Sequence, residues 1–441
     1  MVDWYILLFI AFTLVILFID KIGSHRSVYE YTNKKEVGLS GGTFSLVIPY
    51  MTGPTFLLPF FFTLKGGASS FFIFIVTPLI MYSILRNMIN SQERIANILP
   101  DQITGGKENV ITFLIFGISS IGSILIQTAL MAMLFKAFFH QPAILGVFLL
   151  LTFSYVLFGL GGREGVNRVG SLLLMGILFV SSFTVLTLYL QTGTGGVYQQ
   201  IVKTYDGIFN GSLGANILYF LTFILVMSGQ IFTSYYFWES VQAIRPNHRI
   251  SALKYSSFSW AALLLSFTGF SIYLIAHTDT FSALQLMEAV TQSNSIMSHI
   301  FIYASISMLA VGIGHSLYSM LALYLRILAA MQTQRSSHHT LKQTYLFGLI
   351  LMFFIGMAGI NLSASFTEWL PYFVSFFSSA AVPFFYVLVQ KRFSRRHFAL
   401  TVGMMSMAGF PISSMINEIW LVAPAAAVLT FVVHMIGSKF N

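Results

Sequence analysis

The chain has no cysteine and little charge. Zero cysteines in 441 residues exclude disulfides, thiol nucleophiles and cysteine-ligated metal centres. Only 8% of the residues are Asp, Glu, Lys or Arg, against ~25% in an ordinary soluble domain, while 56% are hydrophobic. A mean hydropathy of +0.80 belongs to a polytopic membrane protein. No polar stretch approaches the ~50 residues that a separate aqueous domain needs. Catalytic signatures are missing as well: there is no phosphate-binding glycine loop between a strand and a helix, no metal-ligand pair at helical spacing, and no paired carboxylates within an apolar run. The reading is of a non-enzyme. The first apolar run begins at Asp3 without a basic leader or a small-residue cleavage site, and reads as a retained helix.

What the sequence does contain is a series of thirteen apolar runs, near residues 3–20, 42–64, 69–90, 110–138, 143–160, 169–191, 214–240, 253–277, 300–329, 344–362, 366–390, 397–416 and 419–437. The expected fold class is therefore an all-α polytopic membrane protein with about thirteen transmembrane helices. Of the 23 Lys and Arg, 20 fall in alternate loops, and only Lys65, Lys136 and Lys203 lie on the other side. That bias predicts an outside N-terminus and a cytoplasmic C-terminus in a plasma membrane or bacterial inner membrane. The net charge of +9 then reports topology and lipid contact, not nucleic-acid binding. Two outer loops, 195–213 and 278–299, are long enough for short amphipathic helices or for plain surface connections.

The second run is interrupted by Pro49, Gly53, Pro54 and Pro59. Proline inside a helix removes a donor and clashes with the carbonyl four residues earlier. In lipid such backbone survives only where protein buries it or where it lines a polar cavity. The seventh run has its own interruption, Met227-Ser-Gly-Gln-Ile-Phe-Thr-Ser234. One reading is a pair of simple kinks. The other is a pair of broken helices five apart, the arrangement in which transporters built from inverted repeats place a solute and ion site.

The residues around these breaks resemble a known family. Residues 53–69, Gly-Pro-Thr-Phe-Leu-Leu-Pro-Phe-Phe-Phe-Thr-Leu-Lys-Gly-Gly-Ala-Ser, resemble the first core helix of the sodium:solute symporter family. Gly161-Gly162-Arg-Glu-Gly-Val166, between the fifth and sixth runs, is similar to that family's Gly-Gly-Leu-x-x-Val, and Gly229-Gln230 to a Gly-Gln of its seventh helix. The resemblance implies a core of two inverted five-helix repeats, spanning 42–191 and 192–390, with a first helix and loop at 1–41 and two peripheral helices at 391–441. It further implies sodium-coupled uptake of a small solute by alternating access. Two family features are absent: an acidic residue after the Gly-Gly motif, where this chain has Arg168, Val169 and Gly170, and an adjacent hydroxyl pair on the ninth helix, where it has Ala310-Val-Gly-Ile-Gly-His-Ser-Leu-Tyr-Ser319.

These readings give a candidate site. Tyr50, Thr52, Gly53, Thr55 and Phe56 of the second run, Gln127 of the fourth, and Ser228, Gln230, Thr233 and Tyr235 of the seventh are the expected solute contacts. Met51, Pro54, His315, Ser316 and Ser319 are the expected ion-coupling groups, and Trp238 with Glu239 the expected gate. His315 could carry a proton or serve as a neutral packing residue; Glu239 could be a gate or an interfacial carboxylate paired with a loop base; Gln127 could face the cavity or bind a neighbouring helix. The expected function is a secondary active sodium:solute symporter importing a small polar solute. No cofactor is expected beyond Na+ or H+ as coupling ion. The alternatives are a proton-coupled or uncoupled transporter of the same fold, and a transporter-like solute sensor acting through a separate protein.

Overall fold

A computed structural model describes residues 4–25, 27–32, 36–67, 70–89, 107–204, 213–277, 296–331, 337–390 and 419–439. The elements are α1 (Tyr5–Leu17), α2 (Val28–Thr32), α3 (Leu39–Val47), α4 (Gly53–Gly66), α5 (Ser70–Ile89), α6 (Lys107–Phe139), α7 (Ala143–Ser154) and α8 (Gly162–Thr192), then α9 (Thr194–Thr204), α10 (Leu213–Phe232), α11 (Tyr235–Ala243), α12 (Arg249–His277), α13 (Ile296–Met331), α14 (Ser337–Ala364), α15 (Phe366–Gln390) and α16 (Ile419–Lys439). The fold is all-α. Seven of the described helices are long and apolar enough to cross a membrane, and α3 with α4, bent by 61°, makes an eighth. Each expected apolar run coincides with helix except 397–416, which lies outside the described residues. The amphipathic helix expected after residue 195 is α9; most of 278–299 lies outside the described residues.

The helices pack in two groups. α3, α4, α5, α10, α11 and α12 form one, with α12 laid against α3, α4 and α5; α6, α7, α13 and α14 form the other. α13 is the most deeply buried of the long helices and meets α6 and α8 along its length. α15 packs on α10, and α16 on both. Because lipid is as apolar as leucine, such packing relies on close van der Waals fit, which small residues permit.

Gly229 shows this directly. A Cβ there would overlap the backbone oxygen of Phe377 on α15, so the Gly-Gln pair of the seventh run serves backbone-to-backbone contact of α10 with α15. Gly229→Ala should lower the thermal midpoint of the purified protein by the equivalent of about 1–3 kcal/mol, the usual cost of overpacking. An unchanged midpoint would contradict this contact.

Candidate functional site

The two breaks differ in how their backbone groups are served. In the second run, a 3-10 turn at Ile48–Tyr50 follows α3, Thr52 is extended, and α4 starts at Gly53. Pro54 opens α4, where the missing N–H has no intrahelical partner to lose; Pro49 lies in the 3-10 turn that continues α3, and Pro59 lies inside α4. The Thr55 hydroxyl donates to the Tyr50 carbonyl at 2.6 Å and holds the break. The Thr52 hydroxyl and the Tyr50 phenol are buried without partners, the Tyr50 ring stacking on Trp260 at 4.4 Å. Phe56 packs among Phe60, Phe267 and Phe301, inside an aromatic cluster and not on a cavity wall.

The seventh-run break lies later than the sequence suggests. α10 runs unbroken through Ser228 and Gln230 to Phe232, and the interruption is Thr233-Ser234. Its groups are served by side chains: Ser234 Oγ accepts from the Phe237 amide at 3.3 Å, Ser319 Oγ accepts from the Tyr236 amide at 3.2 Å, and the Trp238 indole donates to the Phe232 carbonyl at 2.8 Å. Ser228 donates to Met81 Sδ, and Gln230 Oε1 is buried without a partner.

Both breaks face one stripe of α6. Ser119, Ser123 and Gln127 recur every four residues, the spacing of one helical face. Ser119 shares a 2.6 Å hydrogen bond with Thr233 at the seventh-run break. Ser123 accepts from Ser316 of α13 at 3.0 Å, and Ser316 meets His315 Nε2 at 3.3 Å. The Gln127 amide nitrogen donates to both the carbonyl and the hydroxyl of Ser123, each at 3.1 Å. That fixes the amide with Oε1 turned the other way; the flipped orientation would set Oε1 against the Ser123 carbonyl. Gln127 is 1% exposed, its Oε1 has no hydrogen-bond partner, and it arrives at Gly312 of α13 together with the Met51 carbonyl oxygen: a Cβ on Gly312 would overlap both. Two acceptor oxygens converge there, in space that glycine leaves open. Gly312 read from the sequence as a small residue for close helix packing; Ser119 and Ser123 were missed there, although the four-residue recurrence of polar side chains in an apolar run was there to be read.

A buried charged cluster lies at one end of the bundle, joining α11, α13 and the start of α8. Glu239, 3% exposed, accepts from the Tyr318 phenol at 2.7 Å and lies 3.6 Å from the Arg326 guanidinium, which also covers the Tyr235 ring. Arg163, 2% exposed, donates to the carbonyls of Thr32 and Glu239, each at 3.4 Å. Tyr236 bonds Asn167. The loop before α3 straps across this cluster: Tyr31 donates to the Gly159 carbonyl at 2.9 Å, His25 Nε2 lies 3.0 Å from the Gly161 carbonyl, and Val37 pairs with Ile244 in a parallel bridge. Burial pushes the Tyr31 phenol well above its ordinary pKa, so it donates at any physiological pH. Gly162, at φ +58°, makes the turn beneath this strap, where a Cβ would press on the Tyr31 carbonyl.

At the other end, a cavity of about 370 Å³ opens between α4, α6, α10 and α15, with Pro54 and Ile126 among its lining residues. Of the expected site residues it reaches only Pro54; Tyr50, Thr52, Gly53 and Thr55 lie behind it in the break. Among the described residues no three His, Asp or Glu side chains gather as a metal site.

The fold has counterparts among solved structures. The fold is that of the five-plus-five inverted-repeat transporters. A substrate-bound, outward-open Na+-coupled sialic acid symporter superposes with a TM-score of 0.76 at 12% identity, over 99% of this chain and 98% of that one. A manganese transporter from Eremococcus coleocola gives 0.54 at 14% identity, over 93% and 99%. No protein-family model matches the sequence, and no curated protein matches it.

The absence of cysteine gives the charged cluster a clean test. With Ser240→Cys as the sole thiol, a membrane-impermeant maleimide should label slowly. Adding Glu239→Gln should speed labelling more than about tenfold, because breaking a buried ion pair costs ~3–5 kcal/mol. Equal rates would mean that the cluster does not hold this end shut.

Proposed function

We propose that the chain is a secondary active transporter, a sodium:solute symporter that imports a small polar solute by alternating access. The observation that carries this reading is the meeting of the Met51 carbonyl and Gln127 Oε1 at Gly312. Two converging oxygens cannot bond each other, and a hard monovalent cation satisfies both; unwound carbonyls at a helix break coordinate Na+ in transporters of this architecture. The donor set is all oxygen, which suits Na+ and fits no softer metal. The broken second helix supplies one ligand and the α6–α13 pair the other, so the ion would join the two packing groups.

The remaining features fit one state of such a cycle. The charged cluster and strap close the end rich in Lys and Arg, which the charge bias assigns to the cytoplasm, and the cavity faces the opposite side. This arrangement agrees with the outward-open form of the symporter above. The two five-helix repeats would then span 42–191 and 192–390, with Trp238 and Glu239 at the closed gate. Trp238 sets the shape of the break, and Glu239 anchors the cluster. The expected solute contacts Thr52 and Gln230 keep unpartnered oxygens for a polar ligand. A second reading, proton coupling, has its own observation: the hydrogen-bonded series Gln127, Ser123, Ser316, His315 links the break to the buried imidazole.

Thermal stability in sodium against choline buffer separates the two. Na+ at one hundred times its dissociation constant should stabilise the protein by about 2.7 kcal/mol. Gln127→Ala should remove that shift, and His315→Asn should leave it. No difference between the buffers, together with uptake that follows a pH gradient and is lost in His315→Asn, would replace sodium with protons.

A further inference from the structure

The cavity between α4, α6, α10 and α15 has a chemistry that the sequence did not suggest. Seven of its fifteen lining residues are aromatic, and Phe223, Phe373, Phe377 and Trp420 come from three different helices. Polar groups are few. The Thr222 hydroxyl is engaged, donating to the Trp420 carbonyl at 3.0 Å. The single charged residue in the lining is Lys65, in the last turn of α4, exposed and without an ion pair among the described residues. Glu368, near the start of α15, makes no bridge to it among those residues. An apolar pocket of a few hundred cubic ångströms with one or two convergent polar groups is the usual form of a small-molecule site.

We propose that this cavity receives an amphipathic anion: a carboxylate borne on an apolar, preferably aromatic, body, with Lys65 meeting the carboxylate and the aromatic walls the body. This deepens the transport reading and rests on it, since it names the class of solute. The walls come from α4, α10 and α15, with one residue each from α6 (Ile126) and α16 (Trp420). Two observations favour a solute over a lipid chain. Pro54, in the first turn of α4, lines it, so it ends directly behind the break that holds Thr52 and Met51. Aromatic faces also favour a flat ring over a flexible acyl chain, because ring pairs gain energy beyond the area they bury.

The test uses the purified full chain in detergent and in nanodiscs, with 3-phenylpropionate, its uncharged amide and propionate as probes. 3-Phenylpropionate should raise the thermal midpoint. The amide and propionate should need concentrations at least about tenfold higher for the same shift. Lys65→Gln, a change at an exposed position, should leave the unliganded midpoint alone and bring 3-phenylpropionate down to the level of the amide; Lys65→Arg should retain the preference. Equal shifts from acid and amide, or a shift untouched by Lys65→Gln, would overturn the proposal. So would stabilisation that appears only with anionic phospholipid in the nanodisc, which would assign the cavity to lipid. The two readings fail separately: binding of 3-phenylpropionate without sodium-driven uptake would support the anion cavity and contradict transport, whereas sodium-driven uptake of an uncharged solute, unaltered by Lys65→Gln, would overturn the anion and leave transport standing.

Discussion

Lipid offers no hydrogen-bond partner, so every backbone group that a broken helix releases has to be served from within the protein. The structure meets that constraint in two ways. At the seventh-run break, Ser234, Ser319 and Trp238 take up the freed amides and the Phe232 carbonyl, and the break is held by the protein itself. At the second-run break, Thr55 takes the Tyr50 carbonyl, while the Met51 carbonyl is turned toward another acceptor, Gln127 Oε1, at Gly312. One break is closed by the protein's own side chains; at the other, two acceptor oxygens meet at Gly312.

That asymmetry gives the architecture its logic. The stripe of Ser119, Ser123 and Gln127 on α6 touches both breaks and the central α13, and α13 adds its own polar contacts to α11 through Ser319, Tyr318 and Arg326. On the proposed function, a cation at Gly312 would hold the second helix to this face, and its loss would release one group from the other. The charged cluster around Glu239 is a separate latch at the far end. A buried pair of this kind adds little stability compared with apolar packing, but breaking one partner is costly, which suits a contact that must be either made or fully replaced.

The fold was legible from coarse features. Apolar run length, the alternating bias of Lys and Arg, and the two interruptions five runs apart suffice for a helical membrane protein with broken second and seventh helices. The site was less legible, for physical reasons. Gly229 and Gln230 look like the break itself, but the helix continues through them, because glycine there answers to the Phe377 backbone on α15, a contact far away in sequence. Phe56 flanks a break yet is absorbed into an aromatic cluster with Phe60 of its own helix, Phe267 of α12 and Phe301 of α13. Pro54 reads as a helix breaker, and the structure shows it as a helix starter, whereas Pro49 lies in the 3-10 turn that ends the helical stretch begun by α3. Ser119 and Ser123 are individually unremarked serines in an apolar run; only their shared face, and what meets it, gives them meaning.

The most direct measurement is binding of radioactive 22Na+ to the purified protein, comparing the natural chain with Gly312→Ala. A single added methyl group would occupy the space where Gln127 Oε1 and the Met51 carbonyl converge. The account predicts saturable sodium binding by the natural chain and its loss in Gly312→Ala, with the variant still folded by its unliganded thermal midpoint. Undiminished sodium binding in a folded Gly312→Ala would show that the ion, if it couples transport, sits elsewhere.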